Sequence, residues 1–169
     1  GDAGEAPALR AGAGVAILPI PVGHSHAGYL QSDALGAPHP PDDPKSPFAD
    51  LFPATRGLQS APRAKALVLE SGSRRLVLAQ VDAVFVTATL TARVLALARK
   101  RLGVDLRGEL LLHGSHTHGS AGRFSDRSPM PTLLAAEPVP QRHVLAHGVD
   151  TYSPESTDRI AAGIVEAID

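Results

Sequence analysis

The residues with the most chemistry to offer are His116 and His118, separated by Thr117 and preceded by the apolar run Leu110-Leu111-Leu112-His113. In extended backbone, alternate side chains share a direction and stand about 7 Å apart, so both imidazoles can face one point, as a metal or a metal and its substrate would require. Cysteine is absent from the chain, which leaves histidine and carboxylate as the ligands for a transition metal. Gly119 and Gly122 follow and let main-chain N–H groups come close to a substrate. The same spacing also suits two solvated loop histidines, and both readings stay open at this level.

Other residues could join them. His24-Ser25-His26 is a second His-x-His after an apolar run, able to reach the same end of a sheet or to be an ordinary loop pair. His143 and His147 are four apart and would share one helical face, as metal ligands or as solvated residues. His113 is expected to point away from His116 and His118. Asp82 follows an apolar strand and is placed either to orient a histidine by a second hydrogen bond or to close a loop by accepting main-chain N–H groups. Tyr29 reads as a loop anchor, while Arg123 and Arg127 suit either an anionic head group or solvent.

These side chains need a scaffold. Gly14 to Ile20 reads as a buried strand closed by Pro19 and Pro21, and Ala64 to Glu70 with Arg75 to Val81 reads as a hairpin turning at Ser71-Gly72-Ser73. Leu90, Val94, Leu97, Ala98 and Leu102 recur at helical spacing, with Thr87 or Thr89 as cap and Gly103 as stop. Glu109 to His113 is the next strand, and a right-handed crossover through that helix lays it parallel to Arg75 to Val81. The His116 loop then sits at the carboxyl end of a strand, where open α/β sheets bind ligands. A short helix is expected at Gln141 to His147, and an amphipathic one at Ser156 to Ile168, capped by Ser153 with Pro154 in its first turn. The fold class is α/β: a mixed parallel and antiparallel sheet covered by helices. Residues 36–62, with seven prolines, and 119–150 are expected to be proline-rich loops.

Composition narrows the partners. With 169 residues, 43% of them hydrophobic, the chain holds material for one domain over residues 1–169. Sixteen Lys and Arg against 17 Asp and Glu leave a net charge of -1, and Trp is absent, so neither the field nor the stacking surface for nucleic acid exists. No apolar run is long enough to span a bilayer. The small, polar start Gly1-Asp2-Ala3-Gly4 suits either the stub left by a removed export signal or a cytosolic tail.

Ser115-His116-Thr117-His118 resembles the Thr-His-Thr-His-Ser-Gly-Pro-Gly signature of the neutral/alkaline non-lysosomal ceramidases. The resemblance continues in Gly12-Ala13-Gly14-Val15-Ala16, Gly23, Gly28-Tyr29, Ala64-Lys65-Ala66-Leu67-Val68, Val81-Asp82 and the last helix, in the family's order. It covers most of the chain outside the two proline-rich loops, and Gly119-Ser120-Ala121-Gly122 departs from the family's Ser-Gly-Pro-Gly. What it implies is a zinc-dependent amidase, secreted or periplasmic, that cleaves the N-acyl bond of ceramide or a related N-acyl lipid at or near a membrane surface. His116 would be a Zn2+ ligand, and His118 would bind substrate and assist catalysis; the reading of the residues themselves adds Gly119 at the substrate site and Asp82 behind the histidines. The chain would then be the N-terminal part of a larger catalytic domain, with the remaining zinc ligands beyond residue 169. Two alternatives remain: a catalytically incomplete domain used for binding or structure, and a different metal hydrolase completed by His24, His26, His143 or His147.

Overall fold

The computed structural model describes residues 7–26, 46–50, 52–126 and 150–169. Within them the order is β1 (Leu9–Ile17), β2 (Arg63–Ser71), β3 (Arg74–Val81), α1 (Ala88–Leu102), β4 (Leu110–Gly114) and α2 (Pro154–Ile168). The four strands form one sheet in the order β1-β2-β3-β4. β1 and β2 are antiparallel, as are β2 and β3, whereas β3 and β4 are parallel. The expected mixed α/β fold is therefore present.

Local chemistry explains the elements. Gly72 and Ser73 form the two-residue connection between β2 and β3, and Gly72 takes a positive φ of 58°, which a tight hairpin of this hand requires. Thr87 caps α1 by accepting the Leu90 N–H at 3.0 Å, and Gly103 ends the helix in the left-handed conformation. Ser153 caps α2, and Pro154 occupies the first turn, where its missing N–H costs nothing. Arg93 of α1 and Asp158 of α2 make a two-pronged ion pair across the helix surface.

The alternation of side chains then decides what is inside. Ala16, Ala64, Ala66, Val77, Ala79 and Val81 turn to the face that α1 and α2 cover, where Leu90, Val94, Ile160 and Ile164 meet them with 0% exposure. Small alanines on the strands let the helices lie close.

The first strand differs from the expectation of a buried run from Gly14 to Ile20. It starts at Leu9 and ends at Ile17, it is an edge strand, and of its nine residues only Ala16 is buried. Pro19 is what shortens it, since proline cannot donate to a ladder. Leu18 and Ile20 are buried by bending inward, with the Leu18 N–H on the Pro62 carbonyl at 2.8 Å.

The helices also cover one face of the sheet, not both, among the described residues. The expected helix at Gln141 to His147 lies outside the described residues. Of the proline-rich loops, the described ends are stitched to each other. The buried Asp150 carboxylate accepts the Asp50 N–H at 2.9 Å, and the Thr151 hydroxyl donates to Asp50 at 2.8 Å. Phe52 and Ala54 are buried, so the carboxyl end of the first loop belongs to the packed body.

Candidate active-site loop at the end of the parallel strand pair

The end of β4 is carried past β3 by main-chain bonds. The Ser115 N–H donates to the Val81 carbonyl at 2.9 Å, and the His116 N–H donates to the Ala83 carbonyl at 3.0 Å. Between them, Gly114 passes so close to the crossing segment that a Cβ there would lie 2.7 Å from the Ala83 oxygen and 3.1 Å from Phe85 Cα. Only glycine fits without displacing main chain.

His116 follows with φ of 62°, the one non-glycine residue with positive φ among the described residues. That conformation disfavours a branched or bulky side chain and costs roughly 1 kcal/mol or more, so neighbouring contacts must enforce it. They do. The His116 ring Nδ1 lies 2.8 Å from the Val84 carbonyl, which can only accept, so Nδ1 carries the proton and Nε2 presents a lone pair. Metal-bound histidines are oriented by this kind of contact.

His118 is half-buried and stands edge-on to His116, with ring centroids 5.1 Å apart. The left-handed turn at His116, not an extended backbone, brings the two rings together, which corrects the geometry expected from alternation. Gly119 is exposed, and its N–H donates to the Thr117 hydroxyl at 3.3 Å. A Cβ at Gly119 would meet only that same hydroxyl, at 3.7 Å, so no neighbouring group of the protein requires glycine there.

Asp82 secures the loop. Its carboxylate accepts the Arg63 N–H at 2.9 Å and the Ser115 hydroxyl at 3.1 Å. Thus Asp82 holds the residue before His116, while the imidazole itself is oriented by Val84. His113 is exposed and points along the sheet face opposite α1 and α2, with its Nδ1 3.4 Å from the Gly114 carbonyl.

The second His-x-His does arrive beside this loop. His26 forms an isolated antiparallel bridge with Ala121, and the Gly122 N–H donates to the Ser25 carbonyl at 2.7 Å. Gly122 is needed for that approach, because a Cβ would collide with the main chain of His26. His24 is 2% exposed, with Nδ1 2.9 Å from the Pro21 carbonyl, and its ring is 5.5 Å from that of His26. Burial lowers the pKa of His24 against the opposing pull of the Pro21 carbonyl, and burial lowers that of His26 as well. Both rings are therefore held neutral more firmly than free histidine. His24 Nε2, Ser25 Oγ and Ser120 Oγ are buried without a hydrogen-bond partner.

Arg123 has a different task from the two weighed for it. Its guanidinium donates to the Thr151 carbonyl at 2.9 Å and to the Pro47 carbonyl at 3.3 Å, so it clamps the two loop ends together. Tyr29, Arg127, His143 and His147 lie outside the described residues. The residues that sequence reasoning missed act through main chain: the Val84 carbonyl has no signature in a sequence, although a glycine between His113 and Ser115 signals a tight crossing.

His116 meets the demands of one zinc ligand, with one ring nitrogen anchored and the other available. Among the described residues, no group of three or more histidines and carboxylates lies close enough to hold a metal. A full coordination shell is therefore not supplied by these residues.

The four-stranded mixed sheet with two helices on one face is similar in fold to part of two solved ceramidase structures. The neutral ceramidase from Pseudomonas aeruginosa superposes with a TM-score of 0.62 at 22% identity, over 97% of this chain and 21% of that one. A second solved structure, a ceramidase complexed with C2, gives a TM-score of 0.60 at 20% identity over 96% of this chain and 20% of its own. The chain thus spans about a fifth of the length of these structural neighbours. No protein-family profile matches the sequence, and no curated protein matches it significantly.

Proposed function

We propose that this domain belongs to a zinc-dependent amide hydrolase of the ceramidase type, acting on ceramide or a related N-acyl lipid. The observation that carries the reading is the His116 ring, fixed by Val84 with Nε2 presented at the strand end of a ceramidase-like fold. In this reading the free Nε2 of His116 would hold the metal, and further ligands would come from outside the described residues. Bound zinc would supply Lewis acidity and a water activated near neutral pH.

The chain's own contribution is positioning and proton transfer. His118, edge-on to His116, would donate a hydrogen bond to the acyl oxygen or a proton to the departing nitrogen. Hydrolysis forms a bond from the water oxygen to the acyl carbon and breaks the C–N bond, and the amine nitrogen takes the proton. A fatty acid and a sphingoid base result. Asp82 and Ser115 keep the loop registered against β3 while this happens. The reading also places the protein outside the cytoplasm, secreted or periplasmic. Among the described residues, no helix is long and apolar enough to cross a membrane.

The test is hydrolysis of a short-chain ceramide by the full-length protein, with fatty acid and sphingoid base quantified. The reading expects both products in equal amounts, loss of turnover with a chelator, and restoration by zinc. Turnover unaffected by metal removal would sink it.

A second reading is a ceramidase-like domain that binds or scaffolds without catalysis. It predicts no hydrolysis of any N-acyl lipid and no effect of metal on stability.

A further inference from the structure

At the first turns of α2 lies a small cavity of about 20 Å3, walled by Pro47, Phe48 and Ala121 on its apolar side and by His24, Glu155 and Arg159 on its polar side. Two of these residues carry a buried polar atom that has no hydrogen-bond partner among the described residues: His24 at Nε2 and Arg159 at Nε. His24 as a whole is only 2% exposed. Buried polar atoms are nearly always paired, so two orphans on the walls of one cavity point to a group that sits between them.

The two atoms have opposite needs. Nδ1 of His24 lies 2.9 Å from the Pro21 carbonyl, which can only accept, so the ring proton sits on Nδ1 and Nε2 presents a lone pair. Arginine can only donate. The Nη2 of Arg159 donates to Glu155 at 2.7 Å and its Nη1 to the Pro19 carbonyl at 3.3 Å, which fixes the guanidinium and leaves Nε–H over. An acceptor and a donor that do not bond to each other require a ligand able to donate to the first and accept from the second. Size and charge then select it. One water needs about 10–15 Å3, and no larger molecule fits in about 20 Å3. A metal ion would meet the guanidinium, and an anion would meet the His24 lone pair and the Glu155 carboxylate.

We propose that this cavity is a binding site for one water molecule, which donates to Nε2 of His24 and accepts from the Nε–H of Arg159. Ser156 lines the same cavity, and its hydroxyl can take the second proton of the water. The water ties the His24 loop to α2. That loop holds the far end of the segment carrying His116 and His118, through the bridge of His26 to Ala121 and the Ser25 carbonyl that accepts the Gly122 N–H at 2.7 Å. The site thereby positions the histidine loop from behind, as a positioning device and not as part of the chemistry. Nothing in it depends on a bound zinc or on amide hydrolysis.

A crystal structure of the full-length protein, at a resolution that shows ordered water, tests this. The expected result is a single peak of density within about 2.7–3.2 Å of both His24 Nε2 and Arg159 Nε, without the anomalous signal of a metal. Arg159→Lys keeps a cation for Glu155 but has no donor at the Nε position, so the peak should be lost from that variant while the His24 ring stays on the Pro21 carbonyl. The wild-type structure decides even if the variant does not fold. Absence of the peak, a protein group bonded directly to either atom, or an anomalous signal there overturns the proposal. So does a peak of equal strength in Arg159→Lys, which means that Arg159 does not hold the water.

Discussion

The Nδ1 of His116 lies 2.8 Å from the main-chain carbonyl of Val84, a residue 32 positions earlier in the chain. That contact joins the end of β4 to the segment leaving β3, and it selects the tautomer in which Nε2 is the acceptor. The ring is thus prepared before any ligand arrives, at the expense of an unfavourable φ at His116. Preparation of this kind lowers the ordering cost of binding.

The tight crossing at Gly114 is the first point of vulnerability. Gly114→Ala would drive its methyl into the Ala83 carbonyl and Phe85 main chain, so β4 must shift away from the segment that supplies Val84. Overpacking against main chain costs about 1–3 kcal/mol, and a loss in this range should appear in urea unfolding. An NMR titration of the His116 ring should also show its Nδ1–H exchanging faster. Unchanged stability and exchange would mean that the crossing is looser than described.

Asp82 ties Ser115 and the Arg63 N–H at once, at a partly open site. Asp82→Ala should therefore cost about 1–2 kcal/mol, the scale of hydrogen bonds to a charged acceptor near the surface. Asp82→Asn, which retains one acceptor oxygen, should lose less. The two variants compared by chemical denaturation decide this, and equal losses would show that the carboxylate charge, not the bond pattern, matters.

Stability should also fall in mild acid. His24 and His26 have folded-state pKa values below the ordinary 6.5, with burial the leading cause for each. Between the folded and unfolded pKa values the unfolded chain binds more protons, so stability is complete above about 6.5 and declines as pH drops through and below it. The full-length protein followed by thermal melts from pH 7.5 to pH 5 should show this decline, and the double variant His24→Gln/His26→Gln should flatten it. An identical slope in the variant would assign the effect elsewhere.

Much of this scaffold was legible in residue patterns. The hairpin around Gly72, the cap at Thr87, the parallel step into Leu110 and the cap at Ser153 all follow from local chemistry, and local chemistry wins where elements are short and well punctuated. The first strand was less legible because apolar run and strand do not coincide there. Leu18 and Ile20 are buried by a bend after Pro19, while the true strand is a Gly/Ala-rich edge. At the site, the spacing of His116 and His118 revealed the pair, yet the left-handed turn and the Val84 carbonyl depend on a crossing chain 32 residues away in sequence. No local pattern encodes that. The same holds for His26, whose meeting with Ala121 joins two loops at opposite ends of the chain.

Zinc content is the measurement closest to the proposal that His116 is a metal ligand. Full-length wild type, His116→Ala and the exposed control His113→Ala would be dialysed against trace zinc and assayed by inductively coupled plasma mass spectrometry, with folding checked by circular dichroism. About one zinc per wild-type and His113→Ala chain is expected, with a loss of about 10-fold or more in affinity for a folded His116→Ala chain. Equal zinc in all three proteins, or none in the wild type, would contradict it.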